Sequence, residues 1–153
     1  MATPAIYDLY SKIVLDALSV SKIKLNKCRR DFMIEIFMLY LSIPSRINFL
    51  QLGRYSRFGE QRFRRQFEQG FDFFNFNKAL SMPCIGKRNA VAFDPSFIPK
   101  SGKHTPGIGY FWSGCASRAL RGIEILGLSV IVADTRLSFH LEAVQTPSGL
   151  PSE

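Results

Sequence analysis

The sequence predicts an α+β protein, in which a basic helical half precedes a short antiparallel sheet. Apolar residues recur at helical spacing through residues 1–80, and the period changes to the alternation of strands within residues 88–146. Residues 77–89, which contain Ser, Pro and Gly, are the predicted linker, and residues 147–153 are the predicted tail. A hydrophobic content of 46% with 21% charged residues excludes a disordered chain.

The charge is concentrated in the first half. The net charge is +8, and residues 1–80 hold 13 Lys and Arg against 7 Asp and Glu. Residues 81–153 hold only 7 against 5. The helical half is therefore the predicted contact for a polyanion such as nucleic acid.

Two helices are predicted before residue 45. The first is indicated by apolar residues spaced three and four apart, which mark one face of a helix. The second, roughly Lys27 to Leu41, is apolar on most sides, which is typical of a central buried helix. Pro44 ends it, because proline disfavours helix in the residue before it. The apolar face of the first helix consists of Ile6, Leu9, Tyr10, Ile13, Val14 and Ala17.

Residues 45–76 have the layout of a helix-turn-helix. A short helix is predicted to stop near Gly53, and a second helix runs from Glu60 to Gln69 with Phe63 and Phe67 facing inward. Arginine suits DNA because its planar fork grips phosphate or guanine in two places. An ordinary amphipathic helix with a solvated basic face is the alternative. On the first interpretation, the residues that contact DNA are Gln61, Arg62, Arg64 and Arg65.

The second half is predicted to form three strands in a meander. Ala90–Phe93 is a short apolar run that ends on Asp94. The run 123–132 is β-branched, and residues 137–143 alternate between apolar and polar. Residues 134–136 are the predicted hairpin turn. Asp94 is therefore expected at the rim of the sheet.

An acid at the end of a strand, followed by cations, suits metal-dependent phosphoryl transfer. Asp94 is followed by Lys100 and Lys103, which are placed to meet phosphate charge. A two-metal site needs several carboxylates. Asp134 is interpreted as a turn residue, and surface positions are the better interpretation of Glu124 and Glu142.

The remaining composition excludes a membrane anchor and a disulfide framework. The longest apolar stretch is too short to span a bilayer, and no signal peptide is expected at the N-terminus. The three cysteines Cys28, Cys84 and Cys115 are odd in number and far apart. Mostly buried, reduced thiols in a cytoplasmic protein are the prediction.

Together these segments resemble bacterial insertion-sequence transposases of the DDE type, which have a ribonuclease H-like catalytic core. The resemblance rests on AFDPSFIPKSGKHTPGIGYFWSG, RGIEILGLSVIVAD and FHLEAVQTP, and it extends to NFLQLGRYSRFGEQRFRRQFE. It implies that Asp94 is the first acid of the catalytic triad and a ligand of Mg²⁺ or Mn²⁺. It also implies nicking and strand transfer at transposon ends, with the helical half recognising terminal inverted repeats. Lys100 and Lys103 would lie near the DNA backbone.

The chain departs from that family after its third predicted strand. The second Asp and the Glu of the family would follow Gln145, so the chain corresponds to the N-terminal portion, with a truncated ribonuclease H-like core. We expect it to be inactive alone, to bind metal only in a complete site, and to self-associate through an exposed apolar sheet face. A nucleoid-associated, cytoplasmic location is implied. The alternatives are a non-catalytic DNA-binding regulator derived from a transposase and an unrelated α+β domain with a basic surface.

Overall fold

A computed structural model describes residues 4–102 and 104–148, and it confirms the α+β class. The described residues form five helices and one four-stranded antiparallel sheet. The chain divides into two compact units, Met1–Leu80 and Ser81–Glu153. No helix among the described residues is long and apolar enough to cross a membrane.

The helical unit begins most of its helices on side-chain caps. The side chains of Asn26, Asn48 and Asp72 accept hydrogen bonds from backbone N–H groups three residues later. These bonds satisfy donors that the first turn of a helix leaves unpaired. The helices are α1 (Pro4–Val20), α2 (Lys27–Ser42), α3 (Phe49–Tyr55), α4 (Glu60–Phe67) and α5 (Phe73–Ser81), followed by a 3-10 turn at Met82–Cys84.

Helix α5 replaces the first part of the predicted linker. The boundary between the two units, after Leu80, falls within the predicted linker of residues 77–89. Residues 77–84 of that linker are helical, because Asp72 caps a helix that the Gly-, Pro- and Ser-based signals did not reveal. Phe76 anchors this helix by packing into an apolar cluster, with its ring stacked on Phe37 at 5.3 Å. Burial of one aromatic side chain is enough to hold a short helix of this kind in place.

Helix α2 is the centre of the unit, as predicted. One of its faces joins a cluster with α3 and α4, and Ile34 joins a second cluster with α1 and Phe76. Helix α1 is confirmed as a helix, but only its C-terminal half packs, so the first four residues of its predicted apolar face lie exposed. The buried cluster around α2 comprises Phe32, Met33, Ile36, Leu39, Ile43, Leu52 and Phe63.

A buried arginine ties α2 to the end of α4. Arg29 is 8% exposed, and its Nη1 donates to the backbone oxygen and the Oε1 of Gln66, both at 2.7 Å. Its Nη2 donates to the backbone oxygen of Gln69 at 3.1 Å. These carbonyls belong to the C-terminal end of α4, where unpaired oxygens and the helix dipole favour a cation. Burial lowers the pKa of Arg29.

The sheet is built around one long strand. The strands are β1 (Asn89–Pro99), β2 (Gly109–Ser113), β3 (Arg118–Val132) and β4 (Leu137–Gln145). Strand β1 pairs with one side of β3, while β2 and β4 pair with successive segments of its other side. The three predicted strands exist, but β1 and β3 are longer than predicted, and β2 was not predicted.

Two four-residue turns connect β2 to β3 and β3 to β4. Each ends on a residue in the left-handed region, Ser117 with φ of 48° and Arg136 with φ of 57°. This is the conformation that closes hairpin loops of such length. The hairpin turn predicted at residues 134–136 is confirmed.

The two faces of the sheet differ in composition. Paired residues in antiparallel strands share a face, so the register shows on which face of the sheet each paired side chain lies. One face carries small or polar residues around Asp94, namely Ala92, Ser96 and Gly127, together with Ile98, Ile123, Ile125 and Ile131. The opposite face is mainly apolar and partly uncovered, with Phe93 65% exposed, and it also carries Glu124 and Glu142. Its apolar residues include Val91, Phe93, Leu126, Leu128, Val130, Val132, Leu137, Phe139 and Val144.

The start of β1 is fastened to the β3–β4 turn. Asp134 accepts hydrogen bonds from the backbone N–H groups of Lys87 and Arg88 and from the Arg88 Nε at 3.0 Å. The Arg88 side chain, together with these backbone donors, lowers the pKa of Asp134. Asp134 therefore joins the start of β1 to the β3–β4 turn and does not face Asp94.

The three cysteines contradict the expectation of mostly buried thiols. Cys28, Cys84 and Cys115 are all free and exposed. Cys84 and Cys115 lie in a turn and a hairpin loop, and Cys28 lies on the outer side of the first turn of α2. The reason is positional, because element ends and loops lie on the surface even when they carry apolar residues.

Arg29→Ala should destabilise the helical unit. The acceptors on Gln66 and Gln69 would lose their donor, so we expect the free energy of unfolding to fall by roughly 2 kcal/mol. Urea denaturation followed by circular dichroism measures this. The control is Arg30→Ala, which removes an exposed guanidinium from the same turn of α2 and should change stability by less than about 0.5 kcal/mol. Equal effects of the two substitutions would contradict a structural role for Arg29.

The attachment of β1 to the β3–β4 turn should weaken in acid. The pKa of Asp134 is lower in the folded chain than in the unfolded chain. Its stabilisation of the attachment is therefore complete above the unfolded pKa of about 4, and it is lost as the pH falls through the folded pKa. We expect the amide protons of Lys87 and Arg88 to lose exchange protection on acidification, as measured by nuclear magnetic resonance. Asp134→Asn should remove this pH dependence, and its persistence in that variant would contradict the assignment.

Candidate functional site

Helices α3 and α4 form a tight pair. A Cβ at Gly53 would lie 3.0 Å from the backbone nitrogen of Glu60, so glycine allows the two helices to approach. The prediction that the first helix stops near Gly53 is wrong by two residues, since α3 continues to Tyr55. Leu52 and Phe63, one from each helix, are fully buried beside each other in the main cluster.

The turn between α3 and α4 is anchored to α2 by one carboxylate. Ser56 donates from Oγ to the Oε1 of Glu35 at 2.7 Å, and its Oγ accepts the backbone N–H of Phe58 at 3.0 Å. Arg57 forms a longer ion pair with the same carboxylate, at 3.7 Å. Glu35 thus fixes the turn and, with it, the direction in which α4 leaves the turn.

The four residues predicted to contact DNA differ in availability. Gln61 and Arg65 are exposed on the outer side of α4. Arg64 is also exposed, but it pairs with Glu60 at 2.9 Å and lies over the ring of Phe49. On the outer side of α4, Gln61 and Arg65 therefore have no hydrogen-bond or ion-pair partner among the described residues, whereas Arg64 has a carboxylate beside it.

Arg62 packs against the protein instead. It is half-buried, its Cζ lies 4.1 Å from the centre of the Phe58 ring, and its Nε is buried without a hydrogen-bond partner. Arg57 lies over the same ring, at 4.9 Å. Stacking of guanidinium groups on an aromatic face stabilises a turn of this kind. Arg62 thus stabilises the turn between α3 and α4 by packing on the Phe58 ring.

An aromatic pocket of about 440 Å³ lies between α2 and the end of α4. Phe67, predicted to face inward, is 47% exposed at its wall and meets Phe49 edge-on at 5.4 Å. The inward orientation is correct for Phe63 and incomplete for Phe67, because α4 ends there and no further turn covers it. The aromatic lining comprises Phe32, Phe37, Tyr40, Phe67, Phe71 and Phe73.

Asp94 lies in the middle of β1, so its predicted position at a strand end is wrong. The ladder with β3 continues without a register shift to Pro99. Pro95 and Pro99 are four residues apart on β1, so their backbone nitrogens point to the same side. A regular ladder accepts both prolines only if these nitrogens are directed away from β3. Within the described residues, β1 has no partner on that side. Proline thus marks an edge strand here and does not end it.

The surroundings of Asp94 do not build a metal centre. Asp94 is exposed and lies opposite Gly127, with Ala143 next across the sheet. Glu124 and Glu142 lie on the other face, because they pair at positions of the opposite parity. The described residues contain no group of three or more His, Cys, Asp or Glu side chains placed to hold a metal ion. Asp94 alone therefore does not fit a two-metal site.

The cationic loop after β1 is held in place by a strand residue. Lys100 is exposed just beyond the end of β1, and Lys103 lies outside the described residues. Arg121 of β3 donates to the backbone oxygens of Ser101 and Gly102 at 3.1 and 3.4 Å. This attachment keeps the start of the loop beside β3.

Two aromatic residues on β2 were not identified from the sequence. Tyr110 is 75% exposed and Trp112 is 63% exposed, and both share the face of Asp94. One sequence signal was present: residues 95–123 contain no acid but contain Lys100, Lys103, Arg118 and Arg121 around these aromatics.

Comparison of the chain with protein-family models, curated proteins and solved structures gives no match.

Proposed function

We propose that this chain is the DNA-binding, N-terminal portion of a DDE-type transposase, which binds double-stranded DNA at transposon terminal inverted repeats. The observation that carries the proposal is the outer side of α4, where Gln61 and Arg65 project from a helix pair of helix-turn-helix layout. Glu35 and Arg29 hold the two ends of α4 to α2. A rigid helix with a free polar side is what entry into a DNA groove requires.

Electrostatics supports a polyanionic partner. The first 80 residues account for six of the eight net positive charges of the chain. Arg65 supplies a guanidinium that pairs with no carboxylate in the described part of the chain, and Gln61 supplies an amide one turn earlier on the same side. Arginine bonds guanine or phosphate in two places, and glutamine bonds adenine in two places. Phosphate contacts position the protein, and these two side chains are the candidates for base contacts.

In this proposal Asp94 contributes one carboxylate to a catalytic site for DNA strand cleavage and strand transfer. Mg²⁺ or Mn²⁺ would supply Lewis-acid stabilisation of the phosphoryl group once the site is complete. The carboxylates that complete the site must come from other residues, because Glu124 and Glu142 lie on the opposite face of the sheet and Asp134 is bonded to Arg88. In the same proposal Lys100, which is exposed just beyond the end of β1, contacts the DNA backbone.

The second candidate is a non-catalytic DNA-binding regulator derived from a transposase. It is favoured by the isolation of Asp94 among small neutral residues, since no described carboxylate shares its surroundings. Both candidates use α4 in the same way. They differ in whether Asp94 takes part in cleavage.

Arg65→Ala should weaken binding to duplex DNA. The probes are duplexes from the DNA that flanks the gene, with an unrelated duplex for comparison. If Arg65 contacts a phosphate, the slope of log affinity against log salt should fall by about 0.9. If it contacts a base, the loss of binding free energy should be about 1–3 kcal/mol and should be confined to the duplexes of flanking sequence. Fluorescence anisotropy measures both quantities.

The matched control for this experiment is Arg30→Ala. It removes the same charge from an exposed position on α2, away from the outer side of α4. Gln61→Ala should reduce sequence preference and leave the salt slope unchanged. Equal losses for Arg65→Ala and Arg30→Ala would show that only net charge matters, and this result would remove the groove-binding role of α4.

The 153-residue chain alone should not cut DNA in Mg²⁺ or Mn²⁺. The described residues offer Asp94 no partner carboxylate, whereas two-metal chemistry needs several. A nicking assay on the flanking duplexes tests this, with Asp94→Asn as the matched variant. Cutting that disappears in Asp94→Asn would contradict the expected incompleteness. Cutting that persists in the variant would indicate a contaminating nuclease.

A further inference from the structure

We propose that Tyr110 and Trp112 form a stacking platform for unpaired bases of a DNA strand. This inference rests on the proposed function and adds a partner for the sheet unit: single-stranded DNA next to the site of strand cleavage. Aromatic side chains exposed on a sheet are the means by which several nucleic-acid-binding sheets stack bases. Stacking tolerates any base, so the platform would bind without sequence preference.

The position of the two rings follows from the β2–β3 register. Tyr110 is opposite Arg121, and Trp112 is opposite Ala119. The two aromatic residues are two apart on one strand, so they lie on the same face at a separation of about 6.8 Å. Ala119 is too small to cover Trp112. Both rings are consequently open to solvent, at 75% and 63% exposure.

The charge around the platform selects a polyanion over a protein partner. Exposed Trp and Tyr also occur in protein interfaces, so the rings alone do not decide between the two. The 29 residues from Pro95 to Ile123 contain four Lys and Arg and no acid. Arg121 bonds to the neutral carbonyls of Ser101 and Gly102, which leave its positive charge uncompensated. An acid-free cationic segment that carries two exposed rings, with Arg121 opposite Tyr110, favours a phosphate backbone.

The platform lies at a defined distance from Asp94. Asp94 pairs with Gly127, and Tyr110 pairs with Arg121, six residues away along β3. Six residues of an antiparallel strand span about 20 Å along β3, and the two strand spacings between β1 and β2 bring the separation to about 22 Å. A stacked DNA strand advances about 3.4 Å per nucleotide, so the same distance corresponds to about six nucleotides. Since Asp94 and the rings share a face, one strand can pass over both. In a duplex the bases are stacked on each other, so the platform requires an unpaired segment.

Intrinsic fluorescence tests the contact directly, because Trp112 is the one tryptophan of the chain. The probe is oligothymidylate of about 16 nucleotides, compared with a duplex of the same length. We expect the single strand to quench the fluorescence of the full chain and the duplex to quench it much less. By anisotropy with a labelled oligothymidylate, Trp112→Ala should weaken binding about tenfold, and Trp112→Phe should retain most of the affinity.

The matched control is Phe93→Ala, which removes an equally exposed aromatic ring from the opposite face of the same sheet. It should leave the affinity for oligothymidylate unchanged. Circular dichroism of each variant shows whether the fold is retained. Because quenching is measured on the unsubstituted chain, the inference stays testable even if Trp112→Ala does not fold.

The possible results separate this inference from the proposed function. Quenching by the single strand together with a selective loss in Trp112→Ala supports the platform. No quenching, with duplex binding through Arg65 intact, overturns the platform and leaves the proposed function standing. Equal losses in Trp112→Ala and Phe93→Ala also overturn it. The absence of binding to either form of DNA overturns both.

Discussion

The buried guanidinium of Arg29 holds the end of α4 against α2, and the exposed basic side of the helical unit depends on that attachment. Two of its three hydrogen bonds go to the backbone carbonyl oxygens of Gln66 and Gln69, which a helix end leaves unpaired, and the third goes to the side-chain Oε1 of Gln66. At the other end of α4, Glu35 of α2 fixes the preceding turn through Ser56. The attachments at both ends and the burial of Phe63 between them fix the rotation of α4 about its axis. That rotation leaves Gln61 and Arg65 facing outward.

In the sheet unit, β3 has the corresponding role. It is the one strand that pairs with all three others, so its alternation assigns every neighbouring side chain to one of two faces. One face receives large apolar residues and needs cover to be stable in water. The other receives Asp94, small residues, four isoleucines and the exposed rings of Tyr110 and Trp112. The chemistry that we propose for this unit therefore lies on a single face.

Periodicity predicted helices α1 to α4 and three strands, but not α5, because apolar residues recur within each predicted segment at the spacing of its own secondary structure. It did not predict β2, which has five residues and pairs only with the N-terminal extension of β3. It also ended β1 too early at Asp94, because a proline within a strand is tolerated only on an edge. Whether a strand lies at an edge depends on its neighbours, which are distant in sequence. The inward direction of Phe67 was similarly overstated, since the residues that would cover it belong to other helices.

The sequence by itself determined the α+β organisation, the concentration of positive charge in the first half, and the amphipathic character of α4. These properties depend on the order of residues within one segment. The tertiary structure alone decided that Arg62 stacks on Phe58 while Arg65 remains exposed, and that Glu124 and Glu142 cannot join Asp94. The physical reason is that local period specifies which residues share a side of an element, whereas packing and strand register specify what that side meets. A shift of one residue in register would have exchanged the two faces of the sheet.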